Sequence, residues 1–581
     1  MSTRSVLAGS AILVAIAAIL ARDRVFFPAY PECRTIPGDA AWPDISAWTK
    51  LNDTVGGKLI ATVPIAAPCH KILNGAPNSL YDEEQCAVLR DHWHFPETHL
   101  SSPSSPMSYL FSNNTCNPWS DPDTPCTTGT DAVYVINATE VSDIQEGVRF
   151  ATENNIRLVV RNTGHDYLGK STGAHSLSIW THKLKSIELL GQYSSSEYTG
   201  PAIKMGAGVE SLEAYKFAAS HDLVVAGGNC PTVAMAGGFI QGGGHGPLAS
   251  KYGLAADTVL EMEVVTPTGQ YVTASARENA DLFWALRGGG GGGTFGIVTS
   301  ATVKAFPDTY GSTASMMVAN TGDNADALYS AIGGFIQKAL PGLVDAGAFV
   351  VWIAAPFGFM VSPAVAPGLT SAELDKLMQP MVDILKEAGL EYQYSSAQHK
   401  NFLASFEFYS QGTSWNVSDY NVGGRLIARA LALERTDELV EAVRHISTTA
   451  FMSGVSYNVA HGVASPGDVA AHPYFRKTLF GLALGTPVNY TDWSATLAGQ
   501  ERITHDLIPA LERLTPGGGA AYLNEANFEQ GDFQRTLYGD HYGRLLEIKR
   551  KYDPESIMYA RTAVGSEEWK ERGDGGLCRT Q

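Results

Sequence analysis

The sequence lacks an excess of basic residues, a metal-binding arrangement of cysteines and an internal repeat. Lysine and arginine number 41 against 59 aspartates and glutamates, so the formal net charge is −18. Because nucleic-acid binding needs a basic face for the phosphates, this charge argues against a nucleic-acid partner. The seven cysteines include no Cys-x-x-Cys pair and no His/Cys spacing typical of zinc, so we expect no metal site.

The sequence also lacks an apolar run long enough for a membrane span. The N-terminal candidate, Val6–Ala21, is short and rich in alanine. With Arg4 before it and Ala15-Ile16-Ala17 as a cleavage signal, it predicts a secretory signal peptide over residues 1–22, with an uncleaved anchor as the alternative. Glycosylation sequons agree with a secreted glycoprotein that has no membrane contact after cleavage; they lie at Asn52, Asn113, Asn137, Asn416 and Asn489.

Glycine, in contrast, is abundant. The 59 glycines cluster in particular loops, which indicates backbone that approaches a ligand closely rather than low complexity. A hydrophobic fraction of 44% and an aromatic content of 10% are typical of a globular protein. A chain of 581 residues favours more than one domain and can bury a large core.

One glycine-containing loop follows a predicted strand–helix–strand unit. Val141–Asn154 has the apolar spacing of an amphipathic helix, and the apolar run Ile156–Val160 predicts a buried strand. Backbone N–H groups of the polar loop that follows can cradle a pyrophosphate, which puts its histidine where the ring of a cofactor begins. The loop residues are Arg161, Asn162, Thr163, Gly164, His165 and Asp166.

A second group of glycine-rich turns lies farther along the chain. It comprises Gly227–Val233, with Cys230 at its centre, then Gly237-Gly238 and Gly242–Gly246. A further run, Gly288–Gly293, lacks the strand–GxGxxG–helix context and the acidic partner of a Rossmann site. A glycine-rich turn is therefore favoured over NAD(P) binding at this run.

These loops, together with Tyr252–Asp257 and Leu282–Arg287, resemble the berberine-bridge-enzyme-like flavoproteins of the vanillyl-alcohol-oxidase superfamily. The resemblance is strong over Asp131–Phe306 and Tyr522–Gly565 and vague between them. It implies an α+β fold with a two-part PCMH-type FAD-binding domain. It also implies a substrate domain in which helices cover an antiparallel sheet.

In that family the histidine and the cysteine of the two loops each bond covalently to the flavin ring, which carries over to His165 and Cys230. On the residues alone, an ordinary loop histidine and a buried thiol are the alternatives. Val233 matches a position that gates oxygen, where valine accompanies oxidases and leucine dehydrogenases, so O2 is the expected electron acceptor; an ordinary core valine is the alternative. The other expected FAD contacts are Gly228, Thr232, Gly237, Gly238, Gly242, Gly243, His245, Gly253, Leu254, Asp257, Gly296, Ile297, Val298, Tyr522 and Asn524.

We expect five segments along the chain. They are the signal peptide 1–22, a disulfide-rich N-terminal segment 23–130 of the FAD domain, the PCMH-type FAD-binding domain 131–307, a substrate-binding domain 308–515, and a segment 516–581 that returns to the FAD domain. If Cys230 holds flavin, six cysteines remain for three disulfides. Five of the six precede Asp131, which predicts an N-terminal segment cross-linked to itself. Within the FAD domain, we expect Ala132–Val135 to form a strand that pairs with Leu158–Arg161.

Hydride removal also needs a base for the substrate's proton. Tyr522-Leu523-Asn524-Glu525 resembles the family's Tyr-x-Asn-Tyr segment that faces the flavin, but Glu525 replaces the second tyrosine, often the base. A carboxylate in a partly dry pocket can still accept the proton, with Tyr522 as the alternative base and a purely structural Glu525 as the other reading. Tyr167 matches an aromatic residue that orients substrate in the family. His245 replaces an aromatic residue, and its role is open.

The sequence thus predicts a secreted, FAD-dependent oxidase with doubly attached flavin. It would take a hydride from an alcohol, a carbohydrate hemiacetal or a phenolic secondary metabolite and reduce O2 to H2O2. The alternatives are an oxidative cyclase or a dehydrogenase on the same fold, and a flavin-carrying binding protein without turnover. We expect a monomer whose partner is a small-molecule substrate.

Overall fold

The computed structural model describes residues 32–411, 417–462 and 465–580. The predicted signal peptide 1–22 and the sequon at Asn416 lie outside these residues. Within them, no helix has the length and apolar character needed to cross a membrane.

Strands and helices alternate along most of the described chain. The strands are β1 Leu59–Ala61, β2 Ile72–Leu73, β3 Ala76–Pro77, β4 Tyr134–Asn137, β5 Leu158–Arg161, β6 Leu177–Trp180, β7 Ile187–Ser194, β8 Thr199–Gly206, β9 Leu223–Val224, β10 Val259–Val265, β11 Tyr271–Ser275, β12 Ile297–Lys304, β13 Phe306–Pro307, β14 Gly311–Ala319, β15 Phe349–Ala355, β16 Gly358–Pro367, β17 Gln393–His399, β18 Tyr420–Ala428, β19 Phe451–Ser456, β20 Thr478–Pro487, β21 Trp569–Glu571 and β22 Leu577–Arg579. The α-helices are α1 Ile45–Thr54, α2 Glu83–His92, α3 Pro96–Leu100, α4 Val141–Glu153, α5 Ser211–Ala219, α6 Ala249–Tyr252, α7 Ala280–Leu286, α8 Ala325–Gly334, α9 Leu340–Asp345, α10 Ser371–Glu387, α11 Phe402–Ser410, α12 Arg429–Glu434, α13 Thr436–Ser447, α14 Trp493–Arg502, α15 Ile508–Glu512 and α16 Tyr542–Tyr552.

The first sheet of the FAD domain corrects one sequence prediction. Its strand order is β1-β4-β6-β5, with β4, β6 and β5 parallel. The strand near Ala132–Val135 therefore pairs with Leu177–Trp180, and the predicted pairing with Leu158–Arg161 is wrong. All four residues of β6 are buried, and such a strand is best placed at the centre, where both of its edges are hydrogen-bonded.

A second, antiparallel sheet has the order β11-β10-β12-β8-β7. It packs against the first sheet through a shared apolar cluster that includes Ile144, Ile179, Val265 and Ile297. The expected two-part FAD domain is thus built from these two sheets. Ile297, one of the expected FAD contacts, belongs to the core between them.

The substrate domain is organised around a seven-stranded antiparallel sheet, β17-β14-β16-β15-β19-β20-β18. Helices α8, α10 and α13 cover one face and bury Trp352 and Phe480 beneath them. Helix α10 begins with a Thr370/Glu373 capping box, which satisfies backbone N–H groups at its start. On β19, residues alternate between half-buried and buried, so the opposite face of the sheet is open to a cavity. This confirms the expected α+β architecture.

Three disulfides join the six remaining cysteines. Cys69–Cys86 and Cys116–Cys126 lie within the N-terminal segment, as expected. The third bond, Cys33–Cys578, links the start of the described chain to its end instead. Trp93 donates from Nε1 to the hydroxyl of Tyr490 at 3.1 Å, which fastens the N-terminal segment to the substrate domain.

The sequons differ in accessibility. Asn113 and Asn489 are exposed in loops, whereas Asn137 ends a central strand and buries its Oδ1. Asn52 accepts a hydrogen bond from the Leu59 amide at 3.1 Å. Accessible sequons therefore exist, but they are not equivalent.

Candidate active site

A cavity of about 800 Å³ lies between the loops of the FAD domain and the open face of the seven-stranded sheet. Two of the predicted loops form one wall, the sheet forms another, and the segment around Asn524 closes one side. Of the predicted site residues, the following line it: Asn162, Thr163, Gly164, His165, Asp166, Tyr167, Gly228, Cys230, Val233, Gly237, Gly238, His245, Val298, Tyr522, Asn524 and Glu525.

His165 and Cys230 meet across one threonine. His165 Nε2 lies 2.7 Å from Thr232 Oγ1, and the same oxygen lies 3.7 Å from Cys230 Sγ. Cys230 takes no part in the three disulfides. Burial lowers the pKa of His165 to about 3, so the imidazole is neutral at physiological pH. Two loops that are distant in the sequence thus present a neutral imidazole and a thiol to the same part of the cavity.

The loop that carries His165 is held by its own polar groups. Asp166 accepts from the Leu168 amide at 2.9 Å and from the Ser171 amide at 3.0 Å. Gly164 adopts a φ of +84°, and a Cβ there would lie 2.7 Å from the Arg161 guanidinium. Glycine is therefore required at this turn both by conformation and by contact.

The lining has features expected of a site for a large polar cofactor. Asn162 Oδ1 and Gln241 Oε1 are buried, and neither has a hydrogen-bond partner among the described residues. Since buried polar atoms are normally satisfied, these two acceptors fit a ligand that donates hydrogen bonds. Gly237 and Gly238 also line the cavity, where they place no side chain between backbone and ligand.

The segment with the predicted base is fixed to the FAD domain by Asn524. Its Nδ2 donates to Gly238 O at 3.1 Å and to the Tyr522 hydroxyl at 2.8 Å. Gly242 permits this contact, because a Cβ there would lie 2.3 Å from the Asn524 amide. Burial and the nearby Glu525 raise the pKa of Tyr522. Tyr522 therefore keeps its proton at neutral pH.

Glu525 and His245 form a pair at the cavity. His245 Nε2 lies 3.2 Å from Glu525 Oε1, and the Glu525 side chain is 26% exposed. The His245 ring stacks on Tyr457, with centroids 5.2 Å apart, and contacts Tyr522 at 5.0 Å. The histidine that the sequence left without a role is thus held rigidly beside the candidate base. The Glu525 carboxylate can accept a proton from a ligand in the cavity, while His245 Nε2 is directed at that carboxylate.

Tyr167 and Val233 occupy the wall near Cys230. Tyr167 packs against Leu100 and Met107 of the N-terminal segment, and burial raises its pKa. Val233 is half-buried, and its amide lies 3.5 Å from Cys230 O. Both positions are compatible with the roles expected from the sequence.

Some of the predicted FAD contacts do not line the cavity but stabilise the residues around it. Asp257 accepts two hydrogen bonds from Arg476, both of 2.7 Å, and a third from the Leu254 amide at 2.9 Å. This buried pair ties the FAD domain to the substrate domain. The predicted residues that do not line the cavity are Arg161, Thr232, Gly242, Gly243, Gly253, Leu254, Asp257, Gly296 and Ile297.

Lys170 is a cavity residue that the sequence reasoning missed. Its ammonium group lies 3.4 Å from Gly290 O, and burial lowers its pKa to about 8, although Asp166 opposes this shift. Its place just beyond His165, in the same loop, was the available signal. The sheet wall, which includes Val422 and Phe451, was also missed because no motif marks it.

Comparisons with known proteins show which family the chain resembles. Residues 132–275 match a model described as "FAD binding domain", and residues 521–565 match one described as "Berberine and berberine like". The FAD-linked oxidoreductase sor8 of Hypocrea jecorina is 40% identical over 549 residues, covering 94% of this chain and 93% of the relative. The bifunctional decalin synthase calF of Penicillium decumbens is 41% identical over 562 residues, covering 94% and 96%.

A solved structure extends the similarity to the whole fold. The VAO-type flavoprotein MtVAO615 from Myceliophthora thermophila C1 has a TM-score of 0.88 and 36% identity, with 94% of this chain and 100% of that chain covered. Because the 36% identity extends over nearly the full length of both chains, the two proteins are similar in sequence as well as in fold. The chain therefore belongs to the berberine-bridge-enzyme-like, VAO-type family of FAD-linked oxidoreductases.

Proposed function

We propose that this oxidoreductase is a secreted oxidase that holds FAD through covalent bonds to both His165 and Cys230. It removes a hydride from an alcohol carbon and passes the electrons to O2, which yields H2O2. The observation that carries the proposal is the convergence of His165 and Cys230 on Thr232, at a cavity that also contains Glu525.

The chain's residues fit the cofactor in several ways. The loop 161–166, the backbone of Gly237 and Gly238 at the cavity, and the unsatisfied acceptors of Asn162 and Gln241 would hold it. FAD supplies the ring that accepts the hydride, while the protein positions and tunes it. Thr232 engages Nε2 of the neutral His165 and leaves Nδ1 as the ring nitrogen for attachment.

Glu525 is the base in this proposal. It faces the cavity, whereas the Tyr522 hydroxyl accepts a hydrogen bond from Asn524 and has a raised pKa. His245 fixes the orientation of the carboxylate and can receive the proton from it, since the two groups lie 3.2 Å apart. Glu525 therefore takes the hydroxyl proton as the hydride leaves the adjacent carbon.

The choice of O2 as acceptor depends on Val233. This half-buried residue borders the cavity beside Cys230, where a larger side chain would narrow access. Secretion is supported by the three disulfides and by the exposed sequons at Asn113 and Asn489.

Covalent attachment can be tested directly on the purified chain. After acid precipitation the protein should remain yellow, and its intact mass should exceed the polypeptide mass by one FAD. His165→Ala and Cys230→Ala should each retain FAD through the other residue, and the double variant should release it. His221→Ala, an exposed histidine outside the cavity, is the matched control. Complete release of flavin from the parent protein would refute double attachment.

Turnover needs a second assay. Peroxide formation from alcohols should accompany bleaching of the flavin absorbance, and failure of every alcohol to bleach it would favour a binding protein without turnover. The relative named a bifunctional decalin synthase favours an oxidative cyclase as the second candidate. A cyclase would give a product with a new ring, which mass spectrometry and NMR distinguish from an aldehyde.

A further inference from the structure

The wall of the cavity formed by the seven-stranded sheet indicates what kind of substrate the cavity accepts. The wall formed by the FAD domain does not. On β18, Tyr420, Val422 and Gly424 point to the same face, because successive side chains alternate. The register places Gly485 opposite Val422 and Ala483 opposite Gly424. Between Tyr420 and Gly424, the face of the sheet that forms the floor of the cavity therefore consists of small apolar residues.

The neighbouring strand β19 continues the same floor. Phe451 pairs with Gly485, and Ser453 pairs with Ala483. Among the described residues of β18, β19 and β20 that line the cavity, Ser453 and the hydroxyl of Tyr420 carry the polar side-chain groups. The floor is thus a smooth apolar trough, which we define by Val422, Phe451, Ser453, Ala483 and Gly485.

The two ends of the trough differ in chemistry. At one end, a Cβ on Gly424 would lie 2.4 Å from the backbone oxygen of Glu525, so the segment that carries the candidate base packs against this residue. At the other end, the rings of Tyr420 and Phe451 stack with centroids 5.3 Å apart and an interplanar angle of 28°. Four residues along a strand separate the two ends, which corresponds to about 13 Å.

Of the other polar lining groups of the substrate domain, Asp419 lies beside Tyr420 and is paired with His94, and the rest lie away from the trough. Ser362 is on β16, and Ser410 and Gln411 are at the end of α11, whereas β16 and β19 lie on opposite sides of β15. A sugar placed along the trough would lose water from its hydroxyl groups without finding enough partners. Such unsatisfied groups cost free energy, whereas apolar surface gains it.

We propose that the substrate is an elongated, largely apolar alcohol with an aromatic or conjugated portion, rather than a carbohydrate. Its carbinol carbon lies beside Glu525, and its conjugated portion extends along the trough to the Tyr420–Phe451 pair. The alcohol part of this inference rests on the proposed oxidase function. The shape and polarity of the ligand rest on the trough alone.

Three probes test the proposal with the holoenzyme: 5-phenylpenta-2,4-dien-1-ol, which reaches the aromatic pair, benzyl alcohol, which does not, and cellobiose. Calorimetry with the photoreduced holoenzyme under anaerobic conditions gives the Kd of each without turnover, and bleaching of the oxidised flavin is recorded separately. The long alcohol should bind at least about tenfold more tightly than cellobiose, because only the alcohol buries apolar and aromatic surface. Cellobiose binding more tightly than the long alcohol would overturn the proposal, as would failure of the long alcohol to bind.

Variants locate the binding along the trough. Phe451→Ala should weaken the long alcohol about tenfold and benzyl alcohol less than twofold, since only the former reaches the pair. Ala483→Leu should also weaken the long alcohol by filling the floor. Phe357→Ala, at an exposed phenylalanine in the turn between β15 and β16, is the matched control and should leave the Kd of both alcohols unchanged. Equal losses for both alcohols in Phe451→Ala would overturn the proposed orientation.

The two readouts separate the two proposals. If the long alcohol binds and depends on Phe451 but never bleaches the flavin, the ligand class stands and the oxidase function fails. If cellobiose binds better and bleaches the flavin, the oxidase function stands and the ligand class fails.

Discussion

Replacing Glu525 by glutamine is the sharpest test of the catalytic assignment. The substitution keeps the shape of the side chain and an oxygen that can accept from His245 Nε2, 3.2 Å away in the parent. It removes the group that takes up the substrate's proton. Because the Glu525 side chain is partly exposed to the cavity, no large packing defect should follow.

The expected loss can be bounded from the surroundings. Removal of a general base costs about 10²–10⁴-fold in rate, equivalent to about 3–5.5 kcal/mol in the activation barrier. Tyr522 is a poor substitute, because its hydroxyl accepts from Asn524 and its pKa is raised. Asp166 is also committed, since two backbone amides donate to its carboxylate. We therefore expect a decrease of about 10³-fold or more.

The assay is anaerobic single-turnover bleaching of the flavin, which prevents reoxidation from masking the chemical step. The substrate Kd should change far less than the rate, because the lost interaction matters mainly in the transition state. Glu387→Gln, on the exposed side of α10, is the matched control. Tyr522→Phe should bleach at near the parent rate.

Two outcomes would refute the reasoning. A near-parental rate in Glu525→Gln with a large loss in Tyr522→Phe would make Tyr522 the base. A lower melting temperature for Glu525→Gln with an unchanged rate in the surviving enzyme would assign Glu525 a structural role.

Three further predictions concern oxygen access, charge and stability. Val233→Leu should slow reoxidation of photoreduced flavin by O2 while bleaching by substrate stays near the parent rate; equal reoxidation rates would exclude a gate. Lys170 has its pKa lowered to about 8, so it is charged below that pH and neutral above it. As the pH rises through about 8, the flavin midpoint potential should therefore fall more steeply in the parent than in Lys170→Met. Dye equilibration measures the potential, and identical curves for the two proteins would contradict the prediction. Asp257→Asn leaves Arg476 buried without its counter-charge and should cost about 3–5 kcal/mol in unfolding free energy, seen as a lower melting temperature, whereas Asp326→Asn at a 90% exposed side chain should be nearly neutral.

The sequence predicted best those features that depend on neighbouring residues. Helix α4 follows from the apolar spacing of Val141–Asn154, a signal that acts within a few turns. The strand order of the first sheet does not follow from neighbouring residues, because β6 becomes the central strand by pairing with β4 and β5, which lie far away in the chain. Local signals identified the strands but could not say which strand would lie at the centre.

The same distinction holds for the site. The loops around His165 and Cys230 carry glycine motifs, so their chemistry was visible in the sequence. The contact between His245 and Glu525 joins residues 280 positions apart, and no local pattern encodes it. Asp257 shows a second limit of motif matching. It was predicted to contact FAD but instead holds the cavity wall in place, and a motif match does not distinguish these two roles.

The arrangement of the cavity separates attachment from recognition. Residues of the FAD domain, His165 and Cys230, face one side, while the trough belongs to the seven-stranded sheet. The returning segment joins the two, because Asn524 donates to Gly238 O while the backbone of Glu525 packs against Gly424 of the sheet. Under the proposed function, substitutions in the trough should therefore change which alcohol is accepted without disturbing the proposed attachment residues or the proposed base.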